Sequence, residues 1–377
     1  MKIKIPISTP FLDYEENESL MSAITRGEIS GTHGSYLQQF ERDFSSFSDC
    51  SYGVAVSSGT AALHLAVASL GIRDNEEVLV SSFTNMATFF AVLYERANPI
   101  PVDVEPDTWN IDPTLIEDMI TEKTKAIIVV HVYGHPVNMD PIVKICKEKS
   151  LYLIEDCAEA HGALYKGKKV GSLGDVGCFS FYANKIITTG EGGMITTNDK
   201  EIADKAQSLK SLAFGKENKF MHTDIGFNYR MTNLQAAIGV AQLRKIDKII
   251  EKKRMIARKY QENLVDVDSL QLPVEKPYAR NVYWMYHVVC KEESGIERNK
   301  VMRKLKEYGI ETRESFIPYN MQEKLSDKNH IDNLGRYHCP ISNYLAKNGF
   351  YIPSSPLIKN EELDYVSNKM KMILMEK

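Results

Sequence analysis

Three short stretches of this chain put chemistry-bearing side chains beside apolar runs. The first is Ser57-Ser58-Gly59-Thr60, between a run that reads as a strand and an Ala/Leu/Val-rich run that reads as a helix. Unpaired backbone N–H groups at a helix start attract phosphate, and a glycine lets the ligand approach closely. On its own, a serine here is more often an ordinary helix cap. The second is Leu151-Tyr-Leu-Ile-Glu-Asp156, which sets Asp156 at the end of a buried-looking strand, where parallel-sheet enzymes build their sites. A carboxylate there suits the protonated ring nitrogen of a pyridine cofactor and makes the ring an electron sink. A capping or salt-bridged Asp fits the same pattern. The third is Phe179-Ser-Phe-Tyr-Ala-Asn-Lys185, followed by Ile-Ile-Thr-Thr-Gly-Glu-Gly-Gly193. Most lysines are solvated charges, but burial lowers a lysine's pKa and leaves a nucleophilic amine. Ser180 is placed to reach the same phosphate as the first loop.

The elements that must hold these residues follow from the apolar pattern. Tyr52–Val56, Glu77–Ser81, Pro99–Val104, Ala126–His131, Leu151–Glu155, Cys178–Tyr182 and Met194–Thr197 read as strands. Thr60–Leu70, Phe89–Glu95 and Asp140–Lys147 read as helices between them. Such alternation predicts an α/β fold, a mostly parallel sheet covered on both faces. Gly171-Ser-Leu-Gly-Asp-Val-Gly177 is spaced GxxGxxG rather than GxGxxG, and no helix pattern follows it. It reads as a turn into the next strand rather than a dinucleotide loop. Asn233–Leu264 reads as one long helix leading from a large domain, 1–245, to a smaller C-terminal α+β domain, 246–377. The smaller unit contains strands at Trp284–Val289 and Ile310–Arg313 and helices at Lys300–Tyr308 and Asn360–Met375. Trp284 and Tyr286 fit stacking on a base, or the commoner role of core packing.

Composition narrows the function. The 377 residues are 43% hydrophobic and 25% charged, with a net charge of −4, which suits a large core. No Lys/Arg-rich run supports a nucleic-acid partner, and no apolar run spans a membrane. The first residues turn acidic too early for a signal peptide. Six scattered cysteines without a CxxC pair predict reduced thiols, a cytoplasmic location and no metal centre.

Taken together, the ordered motifs carry a resemblance. Glu155-Asp-Cys-Ala-Glu-Ala-His-Gly162, the Gly171–Asp175 turn, Asn184-Lys-Ile-Ile-Thr-Thr-Gly-Glu-Gly-Gly-Met194 and Gly226-Phe-Asn-Tyr-Arg-Met231 resemble the DegT/DnrJ/EryC1/StrS family of sugar aminotransferases over nearly the whole chain. The resemblance implies the aspartate aminotransferase architecture, fold type I, and pyridoxal 5'-phosphate (PLP) as cofactor, with pyridoxamine 5'-phosphate as its aminated form. It implies Lys185 as the Schiff-base lysine, Asp156 at the pyridine nitrogen, and Glu159, where many relatives carry Gln, beside the ring. It also implies Ser58, Gly59, Thr60 and Ser180 at the phosphate, Asn85 at the ring face, and Asn228 at the phosphate of a partner subunit, so that a homodimer shares its sites. Arg230 and Arg313 are candidates for the substrate, and an ion pair is an equal reading of Arg230. The implied substrates are L-glutamate and a nucleotide-linked 4-keto-6-deoxy sugar. The stretches from Asn184 to Asp199 and from Gly226 to Leu243 look closest to members that aminate C4 of GDP-4-keto-6-deoxymannose. Related sugar dehydratases carry His at the lysine position, so Lys185 favours transamination. Two positions depart from the pattern. Asn85 stands where relatives usually stack an aromatic ring, a place Phe83 or Phe89 could take over. Ile317 and Asn320 stand where those C4 aminotransferases commonly carry His. UDP- or dTDP-linked sugars, amination at C3, and a non-catalytic regulatory protein on the same fold are the alternatives.

Overall fold

The computed structural model describes residues 3–215, 217–322, 325 and 338–375. Nine strands lie in the first two hundred residues: β1 (Tyr52–Val56), β2 (Glu77–Ser81), β3 (Asn98–Val102), β4 (Thr124–Val130), β5 (Tyr152–Asp156), β6 (Leu164–Tyr165), β7 (Lys168–Lys169), β8 (Val176–Ser180) and β9 (Gly193–Thr197). Seven of them form one sheet in the order β1-β9-β8-β5-β4-β2-β3. β3, β2, β4, β5 and β8 run parallel, and β9 is antiparallel to both its neighbours. Two reversals restore direction, so β1 ends on the same edge as β2, β4, β5 and β8. Crevices outside the carboxyl ends of such strands are where open α/β sheets bind ligands.

Both faces of this sheet are covered, and the strands therefore read as near-continuous apolar runs. Val54 and Val56 point into one core while Ala55 joins the other. Val78, Val80, Ala126 and Ile128 share the first core, whereas Leu79, Ile127 and Val129 face a third. This is the period-two alternation of a pleated strand.

The expected helix over Asn233–Leu264 is two helices, Asn233–Arg244 and Ile246–Leu264, with Lys245 between them at φ −114°, ψ 11°. The break places the Lys245 ammonium 2.9 Å from Asp13 and 2.6 Å from Glu16 on an N-terminal helix. Two carboxylates reaching across the fold outweigh the continuous helical composition of the segment.

Beyond the second helix, β10 (Leu270–Gln271), β12 (Tyr286–Cys290), β13 (Arg313–Glu314) and β14 (Gly349–Ile352) make an antiparallel sheet in the order β10-β12-β14-β13. Between β10 and β12, β11 (Ala279–Arg280) pairs with β6 of the first unit. The core of the four-stranded sheet includes Tyr286, Val288 and Leu363, together with Ile5 from the start of the chain. Residues 4–7 reach it through Lys4 N–H and Ile5 N–H to the Gly309 carbonyl, and through Ile7 N–H to Glu311. The strand expected at Ile310–Arg313 is divided: Ile310 bridges Ile5, and the ladder with β14 begins at Arg313. No described helix is long and apolar enough to cross a membrane.

Candidate active site

A cavity of about 320 Å³ opens at the carboxyl edge of the large sheet. Ser58, Gly59, Thr60, Asn85, Asp156, Glu159, Ser180, Lys185 and Arg313 all line it. Residues from Ser58 to Lys185 share one space because their strands end on one edge, and Arg313 joins them from the small sheet.

The loop after β1 starts the Gly59–Ser69 helix. Ser58 caps it, its Oγ accepting from Ala61 N–H at 3.1 Å. Gly59 and Thr60, the first two residues of that helix, line the cavity, and a helix N-terminus favours an anion. A Cβ on Gly59 would lie 2.6 Å from Ser180 Cβ and 3.0 Å from its Oγ. Glycine is what allows the helix start and the end of β8 to meet as one cradle.

Asp156, at the end of β5, is buried. Its Oδ1 accepts from Ala158 N–H (3.1 Å) and its Oδ2 from Thr88 Oγ–H (2.8 Å). Burial raises its pKa against the pull of those two donors and of Lys185. Thr88, one turn into the Met86–Tyr94 helix, touches Thr84 Oγ1 as well. Nothing in its sequence surroundings distinguishes it from a core threonine.

Glu159 is buried too. Its Oε2 accepts from Tyr133 N–H at 2.7 Å, and Tyr133 adopts φ +51° to offer it. Burial pushes the Glu159 pKa up to about 7, against Lys185 and that hydrogen bond. Lys185 sits in the loop between β8 and β9. Burial lowers its pKa, while Glu159 and Asp156 hold it up. The amine lies 3.9 Å from the centroid of the Trp284 ring. Trp284 belongs to a buried core, as expected, and it also lines the cavity, which sequence did not reveal. Tyr286 is wholly core, packed on Tyr260. Phe316 and Tyr351 bring the small sheet's side of the cavity into place.

Asn85 lies at the exposed mouth and caps the Met86–Tyr94 helix, its Oδ1 accepting from Ala87 N–H at 3.0 Å. Phe83 packs against Phe316 and Tyr133, and Phe89 stacks on Tyr319 at 4.6 Å. Neither lines the cavity. Asn228 and Arg230 also lie outside the cavity of their own chain. Asn228 is exposed, and Arg230 donates to Ser211 Oγ at 3.1 Å where an ion pair was one expectation.

Beneath Asp156, His131, Glu155 and Cys157 converge within 4.8 Å. This cluster is already saturated. Glu155 accepts from His131 Nε2 (3.0 Å) and from the N–H groups of Gly171, Leu173 and Gly174. His131 Nδ1 accepts from Val137 N–H, which fixes Nε2 as the donor. The glycine-spaced segment is therefore a turn wrapped around Glu155, with Gly171 at φ +89° where a Cβ would strike Phe179.

The site has what a pyridine cofactor with a phosphate tail requires. A helix start, a buried carboxylate and a half-buried lysine amine open onto one space.

Residues 11–371 match the DegT/DnrJ/EryC1/StrS aminotransferase family. The chain is 40% identical over 373 residues, 99% of each chain, to a GDP-perosamine synthase of Escherichia coli O157:H7. It is 36% identical over 376 residues, again 99% of each, to a GDP-perosamine synthase of Caulobacter vibrioides. In structure it resembles the E. coli GDP-4-keto-6-deoxy-D-mannose-3-dehydratase with bound hydrated PLP, with a TM-score of 0.91 and 26% identity over 98% of this chain and 100% of the other.

Proposed function

Because the chain belongs to the DegT/DnrJ/EryC1/StrS aminotransferase family, we propose that it moves the amino group of L-glutamate to C4 of GDP-4-keto-6-deoxymannose, giving GDP-perosamine for a surface polysaccharide such as an O-antigen. It is a PLP-dependent aminotransferase of fold type I. The observation that carries the chemistry is the desolvated Lys185 amine in one cavity with Asp156 and the Gly59–Ser180 cradle. The sugar rests on the full-length likeness to GDP-perosamine synthases.

When bound, PLP supplies an electron sink and carries the amino group from one substrate to the other. The chain does the rest. Gly59, Thr60 and Ser180 hold the phosphate, with Ser58 fixing the helix start. Asp156 would accept from the ring N–H, with Thr88 and Ala158 N–H keeping its carboxylate aimed. The Lys185 amine would take the proton from the α carbon of the amino-acid substrate as base and give it up again as acid. Glu159 sets the charge around that amine. Trp284, Phe316 and Tyr351 keep water from the reacting atoms, and Arg313 offers a cation to an anionic substrate at the mouth. Asn228 and Arg230, outside their own chain's cavity, suit a homodimer in which Asn228 meets the phosphate in the partner subunit and Arg230 the sugar's diphosphate. A cytoplasmic location agrees with six buried, unpaired cysteines. An intact lysine, aspartate and cradle oppose a purely regulatory role, which needs none of them.

The test is a panel of GDP-, UDP- and dTDP-linked 4-keto-6-deoxy sugars with glutamate, followed by product identification. Turnover of the GDP sugar to a C4 amine is expected. Turnover confined to UDP or dTDP sugars, or amination at C3, overturns the substrate assignment.

A further inference from the structure

Trp284 lies just before β12, yet its ring lies in the cavity with Lys185. Four contacts hold it. Its indole N–H donates to the Asn184 carbonyl at 2.7 Å. Its backbone N–H donates to the Tyr133 carbonyl at 2.9 Å. Its own carbonyl accepts from the Lys253 ammonium at 2.8 Å, and the Tyr133 ring lies parallel beside it at 6.2 Å. Lys253 is 1% exposed and binds the Ser354 carbonyl with the same nitrogen. A buried lysine spent on two backbone carbonyls is costly, and here it fixes the peptide that carries the indole.

We propose that Trp284 is a positioning residue for Lys185, its indole face serving as the berth of the lysine when it is released from the cofactor and carries a proton, with Lys253 holding that face in place. An amine that leaves the cofactor in the first half-reaction and rejoins it only at the end of the second needs somewhere to wait. A carboxylate in direct contact would bind the proton too firmly for the amine to act as a base. A ring face attracts the cation through its quadrupole and takes no proton. Glu159 and Asp156 supply the surrounding negative charge. His161, buried nearby with its pKa lowered to about 3 by burial, stays neutral.

This inference rests on Lys185 being the cofactor lysine. The berth stabilises released lysine over joined lysine, so losing it favours the joined, coloured form. The experiment titrates the holoenzyme with glutamate and follows loss of the yellow colour. Trp284→Leu is expected to need about tenfold more glutamate for half-bleaching, equivalent to about 1.4 kcal/mol. Trp284→Phe, which keeps an aromatic face without the indole N–H, should stay within about threefold of wild type. A Trp284→Leu titration that overlays wild type overturns the proposal, as does a Trp284→Phe shift equal to that of Leu. Pyridoxamine phosphate binding, which does not require the lysine, checks the fold of each variant. If Trp284→Leu fails that check, Lys253→Met decides: a shift in the same direction supports the berth, and none overturns it. A wild type without colour would refute the cofactor assignment of Lys185 instead, so the two failures are distinct.

Discussion

Replacing Asn85 with tyrosine separates two effects that the structure places on one side chain. The first is the helix cap. Asn85 Oδ1 holds Ala87 N–H at 3.0 Å, and losing such a cap costs about 1 kcal/mol. For a cooperative unit of about 240 residues the unfolding entropy is near 0.5 kcal/mol per kelvin, so the melting midpoint should fall by about 2 °C. The second is the cavity mouth. Asn85 is exposed there at φ −65°, ψ 143°, a backbone that accepts any side chain. A tyrosine ring laid on the cofactor should add about 0.5–1.5 kcal/mol, up to tenfold in affinity for pyridoxamine phosphate. The variant should therefore melt earlier without ligand and bind the ligand more tightly. Equilibrium dialysis and thermal melting read the two effects apart, with Asn85→Asp as the control that keeps a cap and adds no ring. Weaker binding by the tyrosine variant, with the control unchanged, would show that position 85 does not lie over the ring.

Lys185→Ala should abolish multiple turnover yet still bind pyridoxamine phosphate, and steady-state activity near wild type would sink the assignment. Asn228→Ala should weaken cofactor retention by about 1.5–3 kcal/mol, the worth of a hydrogen bond to a charged group, while activity returns at saturating cofactor; a crystal structure with Asn228 on its own chain's phosphate would refute the shared site. Glu159 has a folded pKa of about 7 against an ordinary 4.5, so it contributes stability that is fully present below about pH 4.5 and is lost as pH rises through 7. The loss amounts to about 3 kcal/mol, and denaturation of Glu159→Gln at pH 5 and pH 7.5 should show a smaller drop than wild type; equal drops would contradict the assigned burial.

The strands were readable because each is a short apolar run buried on both faces. β1 and β2 have the bounds expected of them. The cradle, Asp156 and Lys185 stand at or within five residues of a strand end, a pattern that also fits a cap, an ion pair or a solvated lysine, and only the resemblance of the ordered motifs attached cofactor roles to them. The break at Lys245 was not, since its cause is Asp13 and Glu16, more than two hundred residues away, while the local composition stays helical. Thr88 and Tyr133 were hidden for a related reason. One acts through a hydroxyl that any core threonine carries, the other through a backbone N–H that no side chain announces. Trp284 reads as core because it is core; its contact with Lys185 exists only once β11 has joined β6 and brought the segment back across the large sheet.

The pairing of residues 4–7 with 309–311 has a consequence for the order in which the chain is made. The bond from Ile7 to Glu311 spans 304 positions, so residues 4–7 lack this partner until synthesis has passed residue 311. The large sheet needs nothing beyond β9 to complete its strand order and can assemble during translation. Ile5 joins a C-terminal core otherwise built from residues 256–374, and a folded large unit that holds the two distant segments near each other lowers the entropy cost of so long a loop. Nascent chains stalled near residue 300, with the helices that cover the sheet already made, should therefore resist protease across the large sheet while residues 3–9 remain open to cleavage.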